Sequence, residues 1–189
     1  MREGPAEEQA SDLPGLCVAP TADLSERERT RLRALLDGAF GDDFSEHDWN
    51  HALGGVHVWV SDARGPISHG SLIARTLVCD GHRLRVGYVE AVATRADRRL
   101  QGNATRVMRG IAELIRASYP LGALSTGEQS FYSRLGWETW RGPTAVDAPD
   151  GRRPTPEDDG GIMILRTPAS PRLDLGAEIV GDWRDGDVW

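Results

Sequence analysis

The chain has 189 residues, of which 39% are apolar and 27% charged, and a net charge of −7. That length holds one domain, or one domain with tails, and the composition is too apolar for a wholly disordered chain. It also has no apolar run near the roughly 20 residues of a membrane span, and 22 basic against 29 acidic residues argue against a nucleic-acid binder.

The acidic balance suits a cationic or neutral partner. All 22 basic residues are Arg, with no Lys, as a GC-rich genome produces. Cys17 and Cys79 lack Cys or His neighbours at ligand spacing and read as buried thiols of a reducing cytoplasm, with no disulfide and no zinc site. No secretory leader pattern opens the chain, and Met1 to Gly15 reads as a flexible N-terminal tail ahead of a single domain over 16–189.

In chain order, Leu16 to Val18 predicts a first strand. Ser25 followed by Glu28 is a capping box, and Leu32, Leu35, Leu36 and Phe40 at helical spacing predict an amphipathic helix ending near Phe40. Ser45 caps a second short helix through Trp49. The period then changes to two. Val56 to Val60, Ser68 to Val78 and Arg83 to Thr94 predict an antiparallel meander, with Asp80-Gly81 as a hairpin turn. A long helix follows from about Gly102 to Ser118, with Val107, Met108, Ile111, Leu114 and Ile115 as its apolar stripe. Leu121 to Leu124 is a short buried strand, Gln129 to Leu135 a short helix closed by Gly136, and Ile162 to Leu165 a further strand. A Pro- and Asp-rich stretch to Asp159 separates the last two. The result is a mixed α/β design on one central sheet.

The segment from Tyr88 to Ala104 carries the chemistry. A strand leads into the basic turn Arg95-Ala96-Asp97-Arg98-Arg99, then Leu100-Gln101-Gly102-Asn103-Ala104 opens the long helix. Small residues at a helix start let backbone N–H groups approach a phosphate, and the helix dipole favours negative charge there. On spacing alone, a glycine that merely opens a helix beside a solvated basic turn is an equal alternative.

Arg99-x-x-Gly102-x-Ala104 resembles the pyrophosphate-binding signature of the GNAT acetyltransferase superfamily, and Tyr132-Ser133-Arg134-Leu135-Gly136-Trp137 resembles its second motif. More closely, Gly41-Asp42-Asp43-Phe44-Ser45, His51 to His57, Gly87-Tyr88-Val89-Glu90, Leu121 to Ser125, Pro156 to Gly160 and Asp182-Trp183-Arg184-x-Gly186-Asp187-x-Trp189 resemble the aminoglycoside 2'-N-acetyltransferases. The resemblance runs from about Leu16 to Trp189. Asp42 departs from the family's G-D-F, so the aligned aspartate is Asp43.

The resemblance implies a GNAT fold, whose mixed central sheet is splayed at the acetyl-CoA site and flanked by helices. It implies acetyl-CoA as cosubstrate, an aminoglycoside as acceptor with antibiotic resistance as the outcome, and a homodimer. Val92, Ala93 and Thr94 would offer backbone groups to pantetheine, and Arg99, Leu100, Gln101, Gly102, Asn103 and Ala104 would hold the pyrophosphate. Val92 reads equally as an ordinary core strand residue. Tyr132 would protonate the departing thiolate, against the alternative of a half-buried helix tyrosine.

Glu90 would be the general base, directly or through a water, or an anchor for the substrate ammonium, with the terminal carboxylate of Trp189 as the alternative catalytic base. Asp43, Asp158, Asp187 and the terminal carboxylate of Trp189, with Ser125 and Ala91, would contact the aminoglycoside. For each loop aspartate alone, a turn or cap role is the ordinary reading. For Trp189 the alternative is an exposed end. A GNAT enzyme acting on kasugamycin, a polyamine or a protein N-terminus, and a non-catalytic CoA- or drug-binding module, are the competing functions. Among the five histidines, His47 and His51 stand at i, i+4 without a zincin glutamate. His51 and His57 read as structural, and no metal is expected.

Overall fold

The computed structural model describes residues 15–189. The expected tail therefore lies outside the described residues, apart from Gly15, which is exposed. Four strands open the sheet: β1 (Leu16–Pro20), β2 (Val56–Asp62), β3 (Gly65–Cys79) and β4 (His82–Thr94). Between the first two lie α1 (Glu26–Phe40) and α2 (Glu46–Ala52). Both helices begin in capping boxes, Ser25 with Glu28 and Ser45 with Asp48, each satisfying amides that a helix start leaves unpaired.

After β4 come α3 (Asn103–Ser118), β5 (Leu121–Ser125), α4 (Gln129–Ser133), the two-residue β6 (Glu138–Thr139), β7 (Thr144–Ala148), β8 (Gly151–Pro154), β9 (Ile162–Arg166) and β10 (Ile179–Asp182). All ten strands form one sheet in the order β6-β9-β5-β4-β3-β10-β7-β8, with β2 also on β3 and β1 on β2. Most neighbours are antiparallel, whereas β4 with β5 and β10 with β7 are parallel. This is the mixed α/β sheet with flanking helices that the pattern predicted.

The apolar stripe of α3 packs on one face. Val107, Met108, Ile111 and Ile115 join Val58, Leu72, Val89, Leu124 and Met163 in the largest core cluster. The helix sits so close that a Cβ at Gly70 would meet Ile111 Cδ1 at 2.8 Å. A second cluster joins Leu77, Tyr88, Leu121, Trp140, Ile162 and Trp189.

Three features depart from the sequence-based expectations. The Pro- and Asp-rich stretch, to which the sequence reading assigns no element, holds the β7–β8 hairpin. No burial pattern signals β8, because all four of its residues are exposed and only its ladder with β7 defines it. β10 lies within the C-terminal tail and pairs with β3 and β7, fastening that tail to the sheet. Cys17 is half-buried rather than buried, because β1 is an edge strand whose only ladder partner is β2. Cys79 is buried as expected, and burial pushes its thiol up to about 12.

Candidate active site

The site begins where two parallel strands part. The paired positions of β4 and β5 end at Tyr88–Ala123, while β4 runs on to Thr94. On its other side β4 bulges. His69 pairs with Ala93 and Ser71 with Glu90, so Ala91 and Val92 together face the single residue Gly70. Ala91 has φ 52, a left-handed conformation that an alanine adopts only at a cost.

A cavity of about 840 Å³ fills the opening, lined by the end of β4, the turn after it, the start of α3, and the segment from β5 through α4. A second hollow of about 390 Å³ adjoins it, lined by residues 40–51 and by the C-terminal tail. Phe40, Glu90, Ala91 and Trp189 line both, so the hollows are two lobes of one cleft that meet at the β4 bulge.

In the larger lobe, Val92, Ala93 and Thr94 form one wall, and Arg99, Leu100, Gly102 and Ala104 lie along the turn and helix start. Gly102 is the N-cap of α3 at φ 77, and Leu100 at φ 60 is fully exposed. The basic turn is less free than its sequence suggests. Arg95 is bound by Asp62 at 2.6 Å and Asp97 at 2.7 Å. Arg98 reaches Asp62 at 3.0 Å and Asp97 at 4.0 Å, and its buried Nε makes no hydrogen bond among the described residues. Its part-exposed guanidinium in the wall, beside Arg99, fits an anion such as a pyrophosphate.

Asn103 turns inward and its Nδ2 donates to the Arg98 carbonyl, bracing the turn. Gln101 does not line the cavity, and its amide donates to the Asp97 carbonyl at 3.3 Å. Tyr132 lines the far wall and is buried edge-on against Phe131 and Trp137. Burial, reinforced by the Glu128 charge, pushes its phenol up to about 12, so it holds its proton at neutral pH.

The smaller lobe carries Asp43, Asp48 and Asp187 with Glu90. Asp48 is engaged in its capping box, whereas Asp43 and Asp187 are exposed. Asp158 lines neither lobe. It is half-buried, and its carboxyl is raised above the usual range by burial first and by the charge of Asp187 next. Ser125, at the end of β5, lines the larger lobe rather than the acidic one. Trp189 is not an exposed end: it is 5% exposed, and its indole N–H donates to Thr155 Oγ1 at 3.0 Å.

One contact had no sequence signal as a pair. Glu90 is held by Arg184, whose Nε also donates to the Asp187 carbonyl at 2.8 Å and whose guanidinium lies 5.6 Å from the Tyr88 ring centre. His51 braces the same tail by donating from Nε2 to the Asp185 carbonyl at 2.8 Å. The tail thus crosses the smaller lobe and presents a cation to Glu90, which borders both lobes. Phe40, expected only as part of a helix stripe, proves to be a wall of both.

The sequence model of the acetyltransferase (GNAT) domain matches residues 21–140. An aminoglycoside 2'-N-acetyltransferase of Mycolicibacterium fortuitum is 46% identical over 173 residues, covering 89% of each chain. The chain belongs to the GNAT acetyltransferase family.

Solved GNAT structures share the fold at low identity. A GNAT family N-acetyltransferase from Escherichia coli in complex with CoA matches with a TM-score of 0.62 at 14% identity, covering 91% of this chain and 92% of that one. A GCN5-related N-acetyltransferase from Kribbella flavida matches at 0.56 and 20% identity over 69% of this chain. This chain spans only 34% of that protein's length.

Proposed function

We propose that this GNAT enzyme transfers the acetyl group of acetyl-CoA to the 2'-amine of an aminoglycoside by direct attack in a ternary complex. The observation that carries the reading is the shared wall. Glu90, Ala91 and Trp189 border both lobes, so a thioester entering from one and an amine from the other meet beside the same carboxylate. The named activity of the Mycolicibacterium relative supports the acceptor, and the CoA complex of the Escherichia coli structure supports the donor.

In this reading the Arg98–Arg99 turn and the N-terminus of α3 hold the pyrophosphate, and the outer end of β4 carries the pantetheine arm. Asp43 and Asp187 attract the polycation, with Asp158 adding to the acidic field at the rim. Single exposed ion pairs contribute only about 0–1 kcal/mol each, so the affinity comes from the set. Glu90 takes the proton of the attacking ammonium, directly or through a water.

Tyr132 closes the reaction by stabilising the sulfur. A phenol near 12 facing a thiolate of ordinary pKa near 8.5 makes full proton transfer uphill by about 5 kcal/mol, so its main work is a hydrogen bond to the developing charge. Cys17 on the edge strand and Cys79 at the far end of β3 line neither lobe, which favours direct transfer over an acyl-enzyme. A cytoplasmic homodimer conferring resistance belongs to the same reading. Among the described residues no helix is long and apolar enough to cross a membrane.

The test is CoA release with kanamycin B, which has a 2'-amine, beside kanamycin A, which has a 2'-hydroxyl, against a no-acceptor blank. Turnover of B alone is expected. Equal turnover of both places the acetyl on another amine. Turnover of neither, with acetyl-CoA still bound, redirects the search to kasugamycin, polyamines and protein N-termini.

A further inference from the structure

A series of side-chain hydrogen bonds runs from the start of α1 to the floor of the cleft. Thr21 Oγ1 lies 2.9 Å from His57 Nε2, His57 Nδ1 lies 2.9 Å from His69 Nε2, and His69 Nδ1 lies 2.9 Å from the Ala91 carbonyl. Both rings are fully buried. Burial holds both below the ordinary histidine range, with the Arg29 charge adding to it at His57 and the neighbouring ring at His69. His57 falls to about 4 and His69 to about 3. Each ring is therefore neutral and owns one N–H.

The direction of the series follows from donor and acceptor chemistry. A carbonyl only accepts, so His69 carries its proton on Nδ1 and its Nε2 is bare. His57 must then donate from Nδ1, which leaves its own Nε2 bare and ready to accept the Thr21 hydroxyl proton. The other acceptor near that hydroxyl, the Gly55 carbonyl at 3.2 Å, already receives the Thr21 amide. Gly54 N–H donates to Thr21 Oγ1 and completes it. This single arrangement of protons satisfies every atom in the chain.

What the chain grips is the bulge on which the cleft is built. Ala91 is left-handed, with no ladder partner assigned to it or to Val92. Left-handed backbone in a residue with a Cβ is strained and persists only when the surroundings hold it. The Ala91 carbonyl and the Val92 N–H share one trans peptide plane and point in opposite directions. Fixing the carbonyl therefore fixes which way the Val92 N–H faces and how Glu90, one residue earlier, enters the bulge.

We propose that His69, its Nδ1–H aimed at the Ala91 carbonyl and its bare Nε2 anchored by the His57 donor, is a positioning residue that holds the Ala91–Val92 peptide and through it the acetyl-transfer centre. The inference rests on the proposed transfer reaction and adds a residue that touches neither substrate.

Long-range proton–nitrogen correlation spectra of the isotopically labelled full chain read the tautomer with no substrate present. His69 is expected to be protonated on Nδ1, and a proton on Nε2 overturns the proposal. His57→Phe keeps a ring but removes the donor to His69 Nε2, so the His69 Nε2 resonance is expected to shift towards that of an unbonded nitrogen while Nδ1 keeps its proton. An unchanged Nε2 resonance there overturns the relay.

In the kinetic arm, His69→Leu is expected to lower kcat about 10- to 100-fold, the scale of a misplaced reacting group, with KM for acetyl-CoA changed by less than about twofold. His69→Asn places an amide donor where Nδ1 stood and is expected to recover most of the loss. A folded His69→Leu variant with wild-type kcat, or an Asn variant no better than Leu, overturns the proposal. If Leu does not fold, the Asn variant alone is compared with His57→Phe, and Asn is expected to be the more active. Rates are read on whichever amine the wild type acetylates, so failure to turn over kanamycin B overturns the proposed acceptor while both arms still judge His69.

Discussion

The larger lobe of the cleft is assembled mostly from one stretch, 88–105, with β5 and α4 closing it. The smaller lobe gathers residues 40–51, the bulge at 90–91 and the tail at 184–189. The first is a local device, in which a strand end, a turn and a helix start follow one another in sequence. Any chain that folds them in that order presents backbone donors at one place. The second exists only once β10 has docked the tail against β3, because Arg184 and Glu90 are 94 residues apart. A lobe built locally keeps its chemistry under many sequence changes, whereas one built from distant segments is free to vary its charge and so to choose its substrate.

The sharpest way to break this comparison is at Glu90, the shared residue. Glu90→Gln keeps the shape and a hydrogen bond to Arg184 but removes the base. If both lobes serve one reaction, kcat falls about 10²- to 10³-fold, the usual range for a general base. The melting temperature should shift only by a few degrees. The opposite pattern, a large fall in melting temperature with kcat near wild type, makes Glu90 chiefly the partner of Arg184, which is itself largely buried.

How much was legible beforehand follows the same division. The apolar periods of α1 and α3, the alternation of the meander, the Ser25–Glu28 capping box and the Ser45 cap were readable because each is a local pattern. The signature Arg99-x-x-Gly102-x-Ala104 sits where expected, although two of its neighbours do different work: Gln101 and Asn103 bond back to the turn. The β7–β8 hairpin was not legible, because an exposed ladder next to Pro and Asp carries no apolar period. Neither was the Glu90–Arg184 pair, nor the His57–His69 contact. An ion pair or a ring contact between strands leaves no trace in spacing, and His69 had no motif around it. The distant carboxylates Asp43 and Asp187 reached the site through a resemblance, and Asp158 shows the limit of that route: it stands at the rim and not in the lining.

A smaller effect separates the scaffold under the bulge from the acidic lobe above it. His57 and His69 have folded pKa values of about 4 and about 3, below an unfolded value near 6.5. As pH falls from 7.5 to 5.5 the unfolded chain takes up protons that the folded one refuses, so stability is lost on acidification. Each ring contributes about 1.3 kcal/mol over that interval, or roughly 2–3 kcal/mol together. At 2–4 °C per kcal/mol this is a drop in melting temperature of roughly 5–10 °C. His51, whose pKa is also lowered, adds in the same direction. Asp158, whose carboxyl is raised by burial and by the Asp187 charge, works in the opposite direction and offsets part of the loss. Asp62, held to about 2 by Arg95, stays ionised in the folded chain and loses its contribution only below an unfolded value near 3.9. The double variant His57→Phe/His69→Phe should show a clearly flatter pH slope, and an unchanged slope would mean that the acid sensitivity lies in other groups.

The finest test sets the lobes against each other. Arg98→Ala removes a part-exposed guanidinium from the wall of the larger lobe, and with it a charge-assisted contact to the pyrophosphate. KM for acetyl-CoA should rise about tenfold, near 1.4 kcal/mol, with KM for the aminoglycoside unchanged. Part of the loss comes through Asp62, which is left with Arg95 alone to answer its charge and so repels the pyrophosphate more. Asp43→Asn should do the reverse and do it more weakly. One exposed carboxylate among several contributes no more than about 1 kcal/mol, so KM for the aminoglycoside should rise about two- to fivefold, and less at high salt. Steady-state kinetics with each substrate varied in turn separates the two. If Asp43→Asn raised KM for acetyl-CoA instead, the lobes would be energetically coupled through the bulge at Ala91, and the division of labour between local and distant construction would hold for geometry but not for binding.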